Sequence, residues 1–290
     1  RIAPIDTALS AILNARPVRA GSLIITLFGD SMAAHGNALW LGSLIQALQP
    51  LGLNARQIRT AVFRLTQDNW LSCTKIGRRS YYSFTDFGLR QYAQSARRIY
   101  VADSLEWDGE WTLVLPSFVG PDIRDQLKRQ LTWLGFGSIG SGVMAHPCAN
   151  QASLKDTLAG LEISDATIVF KATTDQLGSR SALQRLTEES WGLKELEIRY
   201  SEFVSVFAPL LECIIDTEGL DAGQMFEFQT VLVHEYRRII LKTTDLPDEL
   251  LPANWPGRKA LEVMAQIYRA SRPLSAQFIQ ATFEGPRGAL

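Results

Sequence analysis

Cysteine, histidine and long apolar runs are all scarce in this 290-residue chain, which has three Cys, three His and no stretch of ~18 consecutive apolar residues. Cys73, Cys148 and Cys213 are far apart and odd in number. That excludes a disulfide framework and zinc motifs built on paired cysteines, so all three read as buried or incidental thiols. With no apolar span, and no charged-then-apolar order at its start, the chain is expected to be cytoplasmic, without a membrane partner. Catalytic signatures are missing too. There is no Gly-x-Ser-x-Gly elbow, no phosphate loop ending in Gly-Lys-Ser/Thr and no Gly-x-Gly-x-x-Gly. The run Gly137-Ser138-Ile139-Gly140-Ser141-Gly142 has the glycines but neither spacing. His234-Glu235-Tyr236-Arg237-Arg238 carries Arg where a zinc hydrolase has its second His, and His35 and His146 fall in unrelated segments. No enzyme, metal site or resident cofactor is expected.

What is present is an ordinary globular composition, 46% hydrophobic, enough to bury one large core or two to three smaller ones. The net charge of -1 hides an asymmetry. Residues 1–102 hold 12 Lys+Arg against four Asp, a net +8, and the remainder is acidic at -9. A basic segment on an acidic body is the electrostatic form of a nucleic-acid reader, because neutralising phosphates supplies most of non-specific affinity.

The N-terminal hundred residues resolve that charge into a pattern. Arg1 to Ala20 has no periodicity and reads as a tail or a short leading helix. After Ser22, a plausible N-cap, Leu23, Ile24, Leu27 and Phe28 recur at helical spacing, and Gly29 with His35-Gly36-Asn37 ends the helix. Trp40 to Leu48 is a second short helix, stopped at Pro50 and Gly52. A third starts at the N-cap Asn54, with Ile58, Val62, Phe63 and Leu65 on its apolar face and Arg56, Gln57, Arg59, Thr60 and Arg64 on the other. This is a helix-turn-helix whose second helix is sized for the major groove. Leu71–Ile76 and Ser80–Phe84 are β-prone runs joined by Gly77-Arg78-Arg79, a hairpin wing with a cationic tip. Lys75, Arg78, Arg79 and Tyr81 extend the expected DNA contact to phosphates or the minor groove. A further helix from Thr85, capped by Thr85 or Asp86, carries Leu89, Tyr92, Ala96 and Ile99 out of this segment.

Downstream, Trp111–Pro116 reads as a buried strand, and a helix from Asp122 carries Ile123, Leu127, Leu131 and Leu134 on one face. Ser138–His146 is a second strand, Ser153–Leu161 a second helix and Ala166–Phe170 a last strand, together a small ferredoxin-like α+β layer. No acidic residue stands at the tip of its first strand to hold a metal, so it is expected to be a scaffold or dimer surface. From Ser181 the chain turns helical. Leu193, Leu196, Tyr200, Phe203, Phe207 and Leu210 form a seam that packs within the chain or against another subunit. Phe226–Ile240 and Lys259–Tyr268 are further helices. The fold class is α+β in three parts: a winged helix-turn-helix over 1–102, the ferredoxin-like layer over 103–180, and a mainly helical ligand-sensing or dimerising part over 181–290.

Several strings occur together in order: Ser22 to Asp30, Trp40 to Ile45, Arg59 to Leu65, Gly77 to Tyr82, Trp107-Asp108-Gly109-Glu110-Trp111, Leu134 to Gly137, His234 to Arg238, and Leu251 to Gly257. On them nearly the whole chain closely resembles the PaaX family, repressors of phenylacetic acid degradation operons. One departure is Ile239–Thr244, where the family tends to carry a proline-containing, aromatic-rich stretch. The resemblance implies a middle domain similar to small CRISPR-associated nucleases of ferredoxin-like fold. It also implies a homodimer on double-stranded operator DNA, released by phenylacetyl-CoA or a related aromatic effector. For that effector the candidate residues are His234, Arg237, Arg238, Trp255 and Arg258, with Lys259 as a further cation for the thioester's phosphates. Their alternative reading is structural: Arg237 and Arg238 as a charged helix end near Asp245 or Asp248, and Trp255 as a core residue. Rival expectations are a regulator answering to another aromatic effector, an enzyme acting on the acyl-CoA, and an RNA-binding or nucleic-acid-processing protein using the ferredoxin-like layer.

Overall fold

The computed structural model describes residues 1–32, 36, 38–100, 107–174, 180–215, 219–242 and 246–289. His35 and Asn37, expected to end the first helix, and Asp245, expected beside the later arginines, lie outside the described residues. The chain forms two compact units. The first is Arg1–Ala102 with Tyr200–Leu241 and Gly257–Leu290; the second is Asp103–Arg199 with Lys242–Pro256. Residues 181–290 are therefore shared between the two units.

In the first unit, the leading segment is a helix, α1 (Ala3–Ala15), with Pro4 in its first turn, and it buries Ile5 and Leu9. Apolar spacing here is too sparse to signal a helix, but two bonds fix it. The Ile2 N–H donates to Gln224 Oε1 at 2.7 Å and Gln224 Nε2 donates back to the Ile2 carbonyl at 2.9 Å. α2 (Ala20–Leu27) buries Leu23, Ile24 and Leu27 and runs on into a π-helical turn, Phe28–Met32. β1 (Ala38–Trp40) occupies the start of the expected second helix, which begins only at α3 (Leu41–Leu48). α4 (Ala55–Gln67) starts with a capping box in which Asn54 Oδ1 accepts from the Gln57 N–H and Gln57 Oε1 from the Asn54 N–H, both at 2.9 Å. It stops where Asn69 takes φ +58° and the Trp70 and Asn69 N–H groups close on the Leu65 and Thr66 carbonyls. β2 (Leu71–Ile76) and β3 (Arg79–Phe84) form the wing, turned by Gly77-Arg78 with Gly77 at φ +60°. β1 adds to β3 in the register Leu39↔Tyr82, giving the sheet order β1-β3-β2. α5 (Asp86–Tyr100) is capped as expected, with Thr85 Oγ1 accepting from the Gly88 N–H.

The second unit is the ferredoxin-like layer. β4 (Glu110–Leu115), α6 (Pro121–Trp133), β5 (Gly137–Gly140), β6 (Val143–His146), α7 (Gln151–Gly160) and β7 (Ile168–Thr173) make a β-α-β-β-α-β unit with sheet order β5-β6-β4-β7, all antiparallel. The single strand expected over 138–146 is two, because Ser141 and Gly142 adopt φ +47° and +80° and reverse the chain. One core joins Val114, Leu127, Leu131, Phe136, Met144, Leu154 and Leu158. A smaller cluster sets Trp111, Ala145 and Leu250 against Trp107, Leu183 and Trp191, the latter two brought by α8 (Arg180–Ser190) and the residue following it.

α9 (Leu193–Ile215) carries the expected seam, buried at all six positions. In the first unit it packs within the chain: Phe203 and Phe207 lie 5.3 and 5.9 Å, ring to ring, from Tyr236 and Phe228. Both partners belong to α10 (Ala222–Ile240), which is enclosed along most of its length and packs on α1, α2 and α5. α11 (Pro256–Thr282) and a short C-terminal hairpin, β8 (Glu284–Gly285) and β9 (Gly288–Ala289), complete the unit, with β8 beside β1. The winged helix is thus built around a helix from the far part of the chain.

Candidate nucleic-acid interface

α4 turns Ile58, Val62 and Leu65 inward and leaves Arg56, Gln57, Arg59, Thr60 and Arg64 exposed, as their spacing on a 3.6-residue helix requires. Among the described residues none of the three arginines has an ion-pair partner, so their charge is available to a ligand. Gln57 spends its amide oxygen on the helix cap and keeps its NH₂. Phe63, assigned to the apolar face from the sequence, is 63% exposed, because positions 63 and 64 lie beside the arginine stripe and not over the core. At thirteen residues, or about 20 Å, α4 has the length to lie in a major groove.

On the wing, Lys75 and Arg78 are exposed and unpaired among the described residues. Arg79 differs. It forms an ion pair with Glu284 of β8 and lies 4.4 Å from the centroid of the Trp40 ring. Tyr81 corrects the sequence reading. Its ring is 7% exposed, since alternation along β3 points it inward, and it is a hydrogen-bond partner of Arg79. Tyr81 supports the wing from beneath instead of presenting itself to DNA.

The candidate effector residues of α10 are engaged within the fold. His234 is 3% exposed, and its Nδ1 lies 3.2 Å from Thr26 Oγ1. Thr26 donates its own proton to the Ser22 carbonyl, so it accepts from His234. Burial, and then the charges of Arg238 and Arg237, push the His234 pKa down to about 3. The ring is a neutral tie between α10 and α2, not a phosphate ligand. Arg237 is 5% exposed with its guanidinium 5.7 Å from the Tyr92 ring centroid, and Arg238 pairs with Glu235 at 2.8 Å. Trp255 is buried and belongs to the second unit, whereas the other four belong to the first. In physical terms the α10 members are core and helix surface, because a helix enclosed along most of its length must bury polar positions too.

What sequence reading missed is a cavity of about 420 Å³ in the first unit, lined by Gly29 and Asp30 of the π-turn, Ile99 of α5, and Met264, Tyr268, Arg269 and Arg272 among the α11 residues. Asp30 accepts from Gln229 Nε2 at 2.9 Å and from the Tyr268 hydroxyl. Ser271 donates to Gln229 Oε1, which ties α10, α11 and the π-turn into one polar network. The available signals were faint: one Asp at the end of an apolar helix and a proline, Pro273, inside another. Among the described residues no group of three His, Cys, Asp or Glu could hold a metal, and no helix is long and apolar enough to cross a membrane.

Comparison with known proteins bears on what this arrangement is for. Residues 19–88 match the family described as PaaX-like protein, 104–184 the PaaX protein central Cas2-like domain, and 191–281 the PaaX-like protein C-terminal domain. The transcriptional repressor PaaX of Escherichia coli K12 is 38% identical over 287 residues, 99% of this chain and 91% of that protein. The chain belongs to the PaaX family. The ferredoxin-like second unit is its Cas2-like domain. The first unit joins the N-terminal PaaX segment to most of the C-terminal one. A solved structure, uncharacterized protein Rv0674 from Mycobacterium tuberculosis, shares the fold, with TM-score 0.56 at 20% identity over 88% of this chain and 98% of that one.

Proposed function

We propose that this PaaX-family protein is a transcriptional repressor of a phenylacetate-type catabolic operon, a regulator and not an enzyme. The observation that carries the reading is the α4 face, where Arg56, Arg59 and Arg64 stand exposed and, among the described residues, without an ion-pair partner, on the same unit as a wing tipped by Arg78. The name of its Escherichia coli relative supports the regulatory direction. α4 enters the major groove, where the planar fork of an arginine meets a guanine edge, and Lys75 and Arg78 neutralise flanking phosphates. Two copies place two α4 helices one helical turn, or a multiple, apart on a pseudo-palindromic site. Release follows when an arylacetyl-CoA such as phenylacetyl-CoA binds the DNA-incompetent form better, and its differential affinity sets how far the equilibrium moves.

The test is titration of labelled duplex, selected by the protein from a randomised pool, at ~0.15 M salt, with phenylacetyl-CoA, free phenylacetate or neither. Sequence-specific binding abolished by the thioester supports the reading in full. Specific binding indifferent to both compounds keeps the repressor and discards the effector; absence of sequence preference discards the repressor.

A further inference from the structure

The cavity of the first unit has the features of a ligand site, and none of its lining residues belongs to α4, β2 or β3. At about 420 Å³ it falls in the range of small-molecule pockets, ~300–1,000 Å³. Its walls divide by chemistry. Ile99, Met264 and Pro273 are apolar; Arg269 and Arg272 are exposed at the edge and have no ion-pair partner among the described residues. Asp30 already accepts hydrogen bonds from Gln229 and Tyr268, which leaves the two arginines as the cations available to a guest. Two backbone irregularities meet here. The π-helical turn carries Gly29 and Asp30 into the wall, and Pro273, lacking an N–H, leaves the Arg269 carbonyl without its helical donor.

We propose that this cavity is the effector site, taking an organic anion whose apolar body lies against Ile99, Met264 and Pro273 while its carboxylate or phosphate oxygens meet Arg269 and Arg272. The proposal rests on the effector-controlled reading above and gives that control a location. The wall is also the floor of the DNA reader. Phe28, in the same π-turn, packs on Phe84 of the wing at 5.6 Å, and α2, which leads into the turn, packs on α4. A guest that displaces Gly29 and Asp30 therefore shifts the support under both DNA-contacting elements, which is the differential interaction an inducer needs.

The experiment measures calorimetric binding of phenylacetyl-CoA, phenylacetate and coenzyme A to the full chain, alongside release of the selected duplex. The variants are Arg269→Ala with Arg272→Ala, both at exposed positions, and Ala265→Trp, which fills the cavity. The expected result is that the wild type binds an arylacetyl probe, as thioester or as free acid, and lets go of DNA. The arginine pair should weaken probe binding about a hundredfold, tenfold for each charge-assisted contact. Ala265→Trp should abolish probe binding, and both variants should hold DNA as the wild type does without releasing it. If the wild type responds to a probe and the arginine variant responds equally, the cavity is overturned and the effector-controlled repressor stands. If coenzyme A alone binds as well as its thioester, the apolar subsite is overturned. If no probe binds a wild type that still holds DNA, the site and the effector reading both fall.

Discussion

Arg79 of β3 and Glu284 of β8, 205 residues apart, form an ion pair at the wing, with the arginine guanidinium over Trp40. The pair means that one wing cation arrives already neutralised by the C-terminal hairpin, while Arg78 does not. Glu284→Gln should therefore raise affinity for random-sequence duplex and steepen its log-log salt dependence by about 0.9, the value of one added phosphate contact. Arg78→Ala should flatten it by the same amount and weaken specific and non-specific binding alike. Titrations between 50 and 200 mM salt decide this; a Glu284→Gln slope equal to or shallower than wild type refutes it.

Arg59 sits mid-helix on the exposed face of α4, and among the described residues its side chain has no partner that a substitution would remove. Arg59→Ala is expected to cost about 1–3 kcal/mol on the selected duplex and to relax preference at one base position. Its thermal midpoint should match wild type. An equal loss on random duplex would reduce Arg59 to a phosphate contact.

Two buried histidines set an acid limit. His234 is pushed down to about 3 and His146 to about 4, both chiefly by burial. In each case the unfolded chain binds the proton more readily, so the stabilisation is complete above pH ~6.5 and is lost as pH falls below it. At pH 5.5 each histidine should have given up about 1.4 kcal/mol. His234→Asn, whose amide can still donate to Thr26, should flatten the part of this dependence that belongs to the first unit. Denaturant unfolding between pH 5 and 7.5 measures it, and a wild-type profile flat across that window contradicts the assignment.

Gly29 lies against the face of Tyr92, whose ring atoms would stand 2.1–2.4 Å from an added Cβ. Gly29→Ala should destabilise the first unit by about 1–3 kcal/mol through overpacking, and Tyr92→Leu in the same chain should recover part of it. Thermal unfolding of the single and double variants checks the coupling; additive losses would show that the two residues do not meet.

Much of this was legible in local chemistry. Asn54 announced α4, Gly77 the wing turn and Thr85 the cap of α5, because each effect acts within a few residues. The sequence reading stopped short where the deciding partner is distant. α1, left open as a tail or a short helix, is held by Gln224, β1 exists because β3 offers it an edge, and the polar side chains of α10, left open between an effector site and a structural role, sit on a helix enclosed along most of its length. Phe63 and Tyr81 exchanged expected places for a related reason. Hydrophobicity assigned the phenylalanine to the core, and the tyrosine was grouped with the cationic wing residues, whereas helix phase and strand alternation put the first outside and the second inside.

Enclosure of α10 by α1, α2 and α5 also orders events at the ribosome. α2, with its buried Leu23, Ile24 and Leu27, packs on α4 and on α10, and it is synthesised some two hundred residues before α10. The part of α2 that α10 covers must wait for that later segment, a long-range closure of the kind that is slow and invites chaperones.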